Sequence, residues 1–364
     1  MLFLFCFIIK QFSSKSHEVP LSDPRFLALN SWIARTLGDE AQLALISGDA
    51  SFRRYYRVQY LSQTFITMDS PPDLVPVAPF IDLANAYHDH GILAPEVKAA
   101  ELTQGFLLLS DLGDTQLLEV LTPENVEQYY GKALGLLEAL QTITSSAGQP
   151  LPDYDDAFVL RELTIFIEWL VEHHLQLTLD SQTRQMIDGC FSLLIENVAQ
   201  QPKVGMHRDY HSRNLMLCDD ELAVIDFQDA VIGPITYDAV SLLRDCYVRW
   251  PNHVVEPLLN RHYQQMRALG RISGEVAFSQ YRRWFDLMGM QRHLKAAGIF
   301  CRLNYRDAKP GYLKDIPLTL SYVCDIGAQY PEFAPFIAWL RREVMPHMTS
   351  DKLSQLTGHV EVQG

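Results

Sequence analysis

The chain has 364 residues, 48% hydrophobic and 20% charged, proportions of a globular protein with a sizeable core and not of a disordered, collagen-like or repeat chain. Its 30 basic residues stand against 44 acidic ones, a formal charge of −14 that excludes a basic nucleic-acid binder and argues against an anionic membrane surface. The six cysteines form no C-x-x-C pair, so they read as reduced, mostly buried thiols and not as a zinc or redox motif.

The first apolar run, Leu2 to Ile9, is too short for a span of ~20 residues and has no positive charge before it. Residues 1–21 therefore read as an extension outside the fold, and the chain as cytoplasmic. Ser22, Asp23 and Pro24 start a helix in which Phe26, Leu29, Ile33 and Leu37 recur at helical spacing until Gly38. From Leu43 the texture is strand-like: 43–46, then 54–60 with Tyr56, Val58 and Tyr60 on one face and Arg57 and Gln59 on the other, then 64–68. That is an antiparallel meander. Residues 79–90 read as a helix closing at Gly91, 106–109 as a buried strand, and 110–114 as a turn-rich joint. Helical spacing then dominates over 123–143, 158–175 and 181–198, with a loop at 145–156. Residues 204–227 interrupt the helices with a loop, a strand at 215–217, a turn at 218–221 and a strand at 222–225; helices resume near Tyr237. The expected fold is α+β and bilobal, with a small antiparallel-sheet lobe over 22–112, a mostly helical lobe over 113–349, a cleft between them and a tail over 350–364.

The chemistry concentrates in His207-Arg208-Asp209-Tyr210-His211-Ser212-Arg213-Asn214, followed by Asp226-Phe227-Gln228. Phosphoryl transfer needs an acceptor hydroxyl held in line, a carboxylate to take its proton and Mg²⁺ on the phosphates. Asp209 fits the proton acceptor, being ionised at neutral pH. Asn214 and Asp226 supply hard oxygens of the kind Mg²⁺ prefers, and a hairpin between them returns one beside the other. Four such residues at fixed offsets arise by chance on the order of once in a thousand chains of this length.

This segment resembles the aminoglycoside phosphotransferase and choline kinase family, small-molecule relatives of protein kinases, over roughly residues 25–345. The family's loop is H-x-D-x-x-x-x-N with an I-D-F/W metal-binding segment after it, and residues 231–243 (VIGPITYDAVSLL) are similar to its next segment. There Asp238 would be a structural partner of the catalytic loop. Residues 47–58, 68–72, 105–113 and 291–307 further resemble one subgroup, the anomeric kinases for N-acetylmuramate and N-acetylglucosamine of cell-wall recycling. The resemblance implies ATP and Mg²⁺ as cofactors, a sugar 1-phosphate as product and a uridylyltransferase as pathway neighbour, not as a stable complex. It also implies a phosphate-covering loop at residues 47–51 with Ser47, Gly48 and Ser51, and adenine contacts from the backbone at Ser110 and Leu112. One position departs from the family. Met68 stands where relatives carry a phosphate-binding lysine, and Arg53, Arg54 and Arg57 are the candidate substitutes.

Between Arg292 and Lys314 six basic residues face one acidic residue, a local charge of +5 in a chain at −14. A cationic lining repels polycationic aminoglycosides and suits an anionic or neutral acetamido sugar. His211, Arg292, His293, Arg302 and Arg306 are therefore expected to recognise the sugar or its phosphate. Two other functions fit parts of the pattern: a kinase for another small hydroxyl compound, and a nucleotide-binding regulator without turnover, the latter motivated by Met68.

Overall fold

A computed structural model describes residues 23–47 and 52–348. The apolar run at 2–9, the helix start at Ser22, the loop residues Gly48 to Ser51 and the tail at 350–364 lie outside the described residues. By compactness the chain forms two units. One comprises the described residues through Asn125 together with Gly135–Leu151 and Asp209–Ala230; the other comprises Val126–Leu134, Pro152–Arg208 and the chain from Val231 onward. The hairpin after Asp209 thus groups with the sheet, whereas the sequence reading counts it with the helical lobe.

The first unit is built on five antiparallel strands, β1 (Gln42–Ser47), β2 (Arg54–Tyr60), β3 (Gln63–Asp69), β4 (Val97–Glu101) and β5 (Phe106–Ser110), in the order β1-β2-β3-β5-β4. Helix α1 (Pro24–Thr36) begins at Asp23, whose carboxylate accepts the Arg25 N–H at 2.9 Å. Its apolar stripe, Leu29, Trp32 and Ile33, packs on Tyr56, Val58, Phe106 and Leu108. Strand alternation and register then assign the opposite face. Tyr55 pairs with Met68 and Met68 with Leu107, so these three, with Arg57, Ile66 and Leu109, look away from α1. Helix α2 (Ala78–Asp89) buries Phe80 and Tyr87, and the short α3 (Leu117–Val120) follows. The stretch read as a loop at 145–156 contains a small hairpin, β6 (Ser145–Ser146) and β7 (Gln149–Pro150), turning through Ala147 and Gly148 at φ 48° and 74°.

Helix α4 (Val126–Leu140) belongs to both units by residue. The second unit continues with α5 (Asp156–Ile165), which runs on as a π-helix (Phe166–His174), and α6 (Ser181–Ala199). A strand pair that the sequence did not suggest follows, β8 (Lys203–Met206) with β11 (Val231–Pro234). The hairpin β9 (Leu215–Cys218) and β10 (Glu221–Val224) interrupts this unit in sequence. Helices α7 (Tyr237–Leu243), α8 (Asn252–Ala268), α9 (Phe278–Asp307), α10 (Ile316–Gly327) and α11 (Ala334–Trp339) complete it. Every residue of α9 from 284 to 295 is buried, so the basic run there is no solvated face. Gly298 does not break α9; a Cβ there would lie 2.5 Å from the Ile165 carbonyl oxygen, so glycine permits close approach to the end of α5.

Candidate active site

Strand β8 delivers the chain to His207, where one buried carboxylate sets the path. Asp238, in the first turn of α7, accepts the His207 N–H at 2.8 Å and the Arg208 N–H at 3.0 Å. Arg208 holds φ at +77°, in the left-handed region that is uncommon for a side chain of this size. From Val204 to Ser212 every residue is buried except Asp209.

The six residues Asp209 to Asn214 close on themselves. The Asp209 carbonyl accepts the His211 N–H at 3.0 Å and Asn214 Nδ2 at 2.9 Å, and Asn214 N–H donates to the His211 carbonyl at 2.8 Å. The hairpin then carries the chain out and back through Asp219 and Asp220, both at positive φ (46° and 67°) as a tight two-residue turn demands. On return the Ile225 N–H bonds the Asn214 carbonyl at 3.0 Å, and Asn214 Nδ2 lies 3.4 Å from Asp226 Oδ2. Phe227 is seated between Phe80 and Tyr87 of α2, at ring distances of 5.0 and 4.9 Å, and fixes the end of the excursion.

Asp226 is at φ +65° and receives Gln228 Nε2 at 2.8 Å. Burial, and next the nearby Asp209 carboxylate, push it up to about 8. Two carboxylates crowded together, with the Asn214 side-chain amide against one of them, form a site that a hard divalent cation relieves, and Mg²⁺ ordinarily takes only one or two carboxylates, completing its shell with phosphates and water. The residues present therefore fit a metal held by Asn214 and Asp226. Gln228 belongs to the segment that the sequence singles out but has no role assigned there; its place two residues after Asp226 is the signal for one.

The nucleotide-side candidates separate. Ser47 ends β1, and Gly48 and Ser51 lie outside the described residues. Arg54 is engaged by Asp69, through Nε at 3.0 Å and Nη2 at 2.6 Å, and by Asp23. Arg25 grips the same buried Asp69, so this carboxylate of the 68–72 segment is a clamp between α1 and the sheet. Arg57 pairs with Asp111 at 2.7 Å and Asp114 at 2.8 Å. Arg53 is buried, at 5% exposure, immediately before β2. Its charge lowers the proton affinity of Asp226 and of Tyr55, whose phenol burial pushes up to about 12. Ser110 gives its N–H to the Glu96 carbonyl and its hydroxyl accepts the Glu96 N–H, both at 2.9 Å. The Leu112 carbonyl accepts the Cys218 thiol at 3.0 Å.

The acceptor-side candidates do not converge either. His211 is buried within the Asp209 loop. Arg292 is 5% exposed and donates to Cys246 Sγ at 3.2 Å. His293 stacks on Tyr322 at 4.6 Å, bonds the Arg244 carbonyl at 2.9 Å and is driven down to about 3 by burial and then by Arg292, which makes it a neutral core residue. Arg302 and Arg306 do come together, one turn apart on α9: Arg302 is partly exposed and lowered to about 10 by burial and then by Arg306, which pairs with Asp307 at 2.9 Å.

Comparison with known proteins bears on the same residues. Residues 42–274 match the phosphotransferase enzyme family, APH. The N-acetylmuramate/N-acetylglucosamine kinase of Pseudomonas aeruginosa is 39% identical over 323 residues, covering 86% of this chain and 95% of that protein. The protein of the same name from Neisseria meningitidis serogroup B is also 39% identical, over 322 residues and 87% and 95% of the two chains. Among solved structures, a Plasmodium vivax ethanolamine kinase superposes with a TM-score of 0.60 at 13% identity, covering 82% of this chain and 87% of that one. A choline kinase from Streptococcus pneumoniae gives 0.58 at 12%, with 82% and 99% covered. The fold is therefore protein-kinase-like, as the resemblance implied, and the loop from His207 to Asn214 lies inside the matched span. With residues 42–274 matched to the family and curated kinases 39% identical over most of both chains, the protein belongs to the APH phosphotransferase enzyme family and is a small-molecule kinase.

Proposed function

We propose that the protein transfers the γ-phosphoryl group of ATP to the anomeric hydroxyl of N-acetylmuramate and N-acetylglucosamine, releasing ADP and the sugar 1-phosphate. The observation that carries this reading is the Asp209–Asn214–Asp226 cluster, in a chain 39% identical to kinases named for those two sugars. Asp209 accepts the proton of the attacking hydroxyl as its oxygen bonds to phosphorus; it retains solvent access in an otherwise buried segment. Asn214 and Asp226 would hold Mg²⁺, which neutralises charge on the phosphates when bound. Arg53 is the cation we assign to the phosphates in place of the lysine absent at Met68, because it is buried and its charge acts on the Asp226 carboxylate. Arg302 and Arg306, paired on α9, suit the lactyl carboxylate of N-acetylmuramate.

An ATP-consuming step of this kind belongs in the cytoplasm, and among the described residues no helix is long and apolar enough to cross a membrane. Its sugar 1-phosphate is a fit substrate for a uridylyltransferase in cell-wall recycling. The test is ADP release with Mg²⁺ and, one at a time, N-acetylmuramate, N-acetylglucosamine, choline and kanamycin, with ³¹P spectra of any product. Turnover of the two acetamido sugars alone, an anomeric phosphate, and loss of kcat by ~10³-fold or more in Asp209→Asn are expected. Turnover of choline or kanamycin instead, or ATP binding without turnover of any acceptor, overturns the reading.

A further inference from the structure

Forty-seven residues before the catalytic carboxylate, α5 carries a glutamate that the sequence gives no reason to notice. Glu162 is 2% exposed and its carboxylate collects four donors. Oε1 accepts Arg208 Nη2 at 2.8 Å and Lys295 Nζ at 2.9 Å; Oε2 accepts the Tyr154 hydroxyl and, at 3.2 Å, Gln291 Nε2. Lys295 in turn donates to the Tyr237 hydroxyl at 3.1 Å, and Gln291 to that of Tyr154 at 3.0 Å. One carboxylate thus ties α5, α7, α9, the segment before α5 and the end of the chain's approach to Asp209. Burial by itself raises such a group, yet Lys295 and Arg208 hold it down at about 2, so it is an anion under all ordinary conditions.

Arg208 is held at both ends. Its N–H is fixed by Asp238 and its guanidinium by Glu162, while its backbone sits at φ +77°. A non-glycine residue stays in that region only where its surroundings over-determine it. The residue whose direction this conformation sets is the next one, Asp209, the single member of its segment that is not buried.

We infer that Glu162 is a positioning residue for phosphoryl transfer: by holding the Arg208 side chain it maintains the left-handed turn that presents Asp209 to the acceptor hydroxyl. The inference rests on Asp209 being the proton acceptor. A merely structural buried ion pair exists in the same unit for comparison, Arg244 with Asp286 at 2.6 Å, where Asp286 also receives the Tyr330 hydroxyl at 2.6 Å.

The experiment measures kcat and both KM values for the full chain, with whichever acceptor the wild type uses, well below each variant's melting temperature. Glu162→Gln is expected to lower kcat by about tenfold to a hundredfold with both KM values within about twofold, the signature of a misplaced catalytic group. In an Asp209→Asn background the same change should cost nothing further, because it acts through Asp209. Asp286→Asn should lower the melting temperature and leave kcat unchanged. Should Glu162→Gln fail to fold, Tyr154→Phe removes one donor from the same carboxylate and should lower kcat about threefold at constant KM. A kcat within twofold of wild type for the folded variant, or a loss that simply adds to that of Asp209→Asn, overturns the inference. The reading of Asp209 fails separately, if Asp209→Asn itself retains turnover.

Discussion

Arg54 and Arg57 each give their guanidinium to two carboxylates, Asp69 with Asp23 and Asp111 with Asp114, so a nucleotide would have to break those pairs to use either. Arg53, buried immediately before β2, acts electrostatically on Asp226 and Tyr55. Arginine contacts to phosphate are charge-assisted and individually strong. Arg53→Gln is therefore expected to raise the ATP KM by about tenfold with a smaller effect on kcat, whereas Arg57→Gln should leave the ATP KM within about twofold. An unchanged ATP KM in Arg53→Gln would remove it from the phosphates. The sequence could narrow the cation to three arginines but no further, since the partner of Arg57 is 54 residues away and is brought to it only by the sheet. The Asp209–Asn214–Asp226 cluster was legible for the opposite reason. Twelve residues and one hairpin separate Asn214 from Asp226, so local turn chemistry was enough to bring them together.

At the scale of elements, α9 shows where pattern reading succeeds and where it stops. Its helical period is plain, but Lys295, Arg292 and Gln291 look like a solvent or ligand face until Glu162, Cys246 and Tyr154 arrive from distant segments. The strand β2 was readable from alternation and β5 as a short continuous apolar run; β4 was not readable, because Val97-Lys98-Ala99-Ala100-Glu101 is an edge strand with no fully buried residue. The β8–β11 pair has four residues a side, with a glycine and a proline in the second, too short to show a period. Gly298 offers the sharpest test of how α9 is seated. Alanine would favour an isolated helix by up to ~1 kcal/mol, but its Cβ would meet Ile165 O, Ile165 C and Phe166 N at 2.5 to 2.6 Å, and all three are backbone atoms at the junction of α5 with the π-helix. Overpacking against rigid backbone costs about 1–3 kcal/mol, so the clash should win. Gly298→Ala is expected to lower the urea midpoint; a midpoint equal to or above wild type would mean that the two helices are not pressed together there.

For the molecule as a whole, one source of acid sensitivity among the described residues is a set of three buried histidines in the helical unit. His174 bonds the Tyr305 hydroxyl at 2.9 Å, His262 that of Tyr281 at 2.8 Å and His293 the Arg244 carbonyl at 2.9 Å. Burial is the largest cause lowering all three, to about 4, 3 and 3, with positive or titratable neighbours adding to it: His173 and His347 for His174, Arg271 for His262, Arg292 for His293. In the unfolded chain the same imidazoles take up a proton near pH 6.5. Between that pH and about 4 these three groups bind up to three more protons in the unfolded state than in the folded one, so the stability they contribute is full above pH 6.5 and declines as the pH falls. Each differential proton is worth ~1.4 kcal/mol per pH unit, which makes the loss from pH 7.5 to 6.0 about 2 kcal/mol for the three together. The surplus of 44 acidic over 30 basic residues pulls the other way, because repulsion eases towards the isoelectric point near 5.3, but at 0.15 M salt exposed charges are largely screened while the buried imidazoles are not. Asp226 opposes the histidines as well: raised to about 8, it is protonated in the fold and ionised in the unfolded chain over this interval, which adds about 2 kcal/mol from pH 7.5 to 6.0 and nearly cancels their loss in the wild type. Urea unfolding of Asp226→Asn, which lacks that compensation, should show the lower stability at pH 6.0, and adding His262→Gln, which retains a polar partner for Tyr281 and does not titrate, should shrink the difference by about a third. A stability of Asp226→Asn independent of pH over that interval would mean that these histidines are as easily protonated inside the fold as outside it.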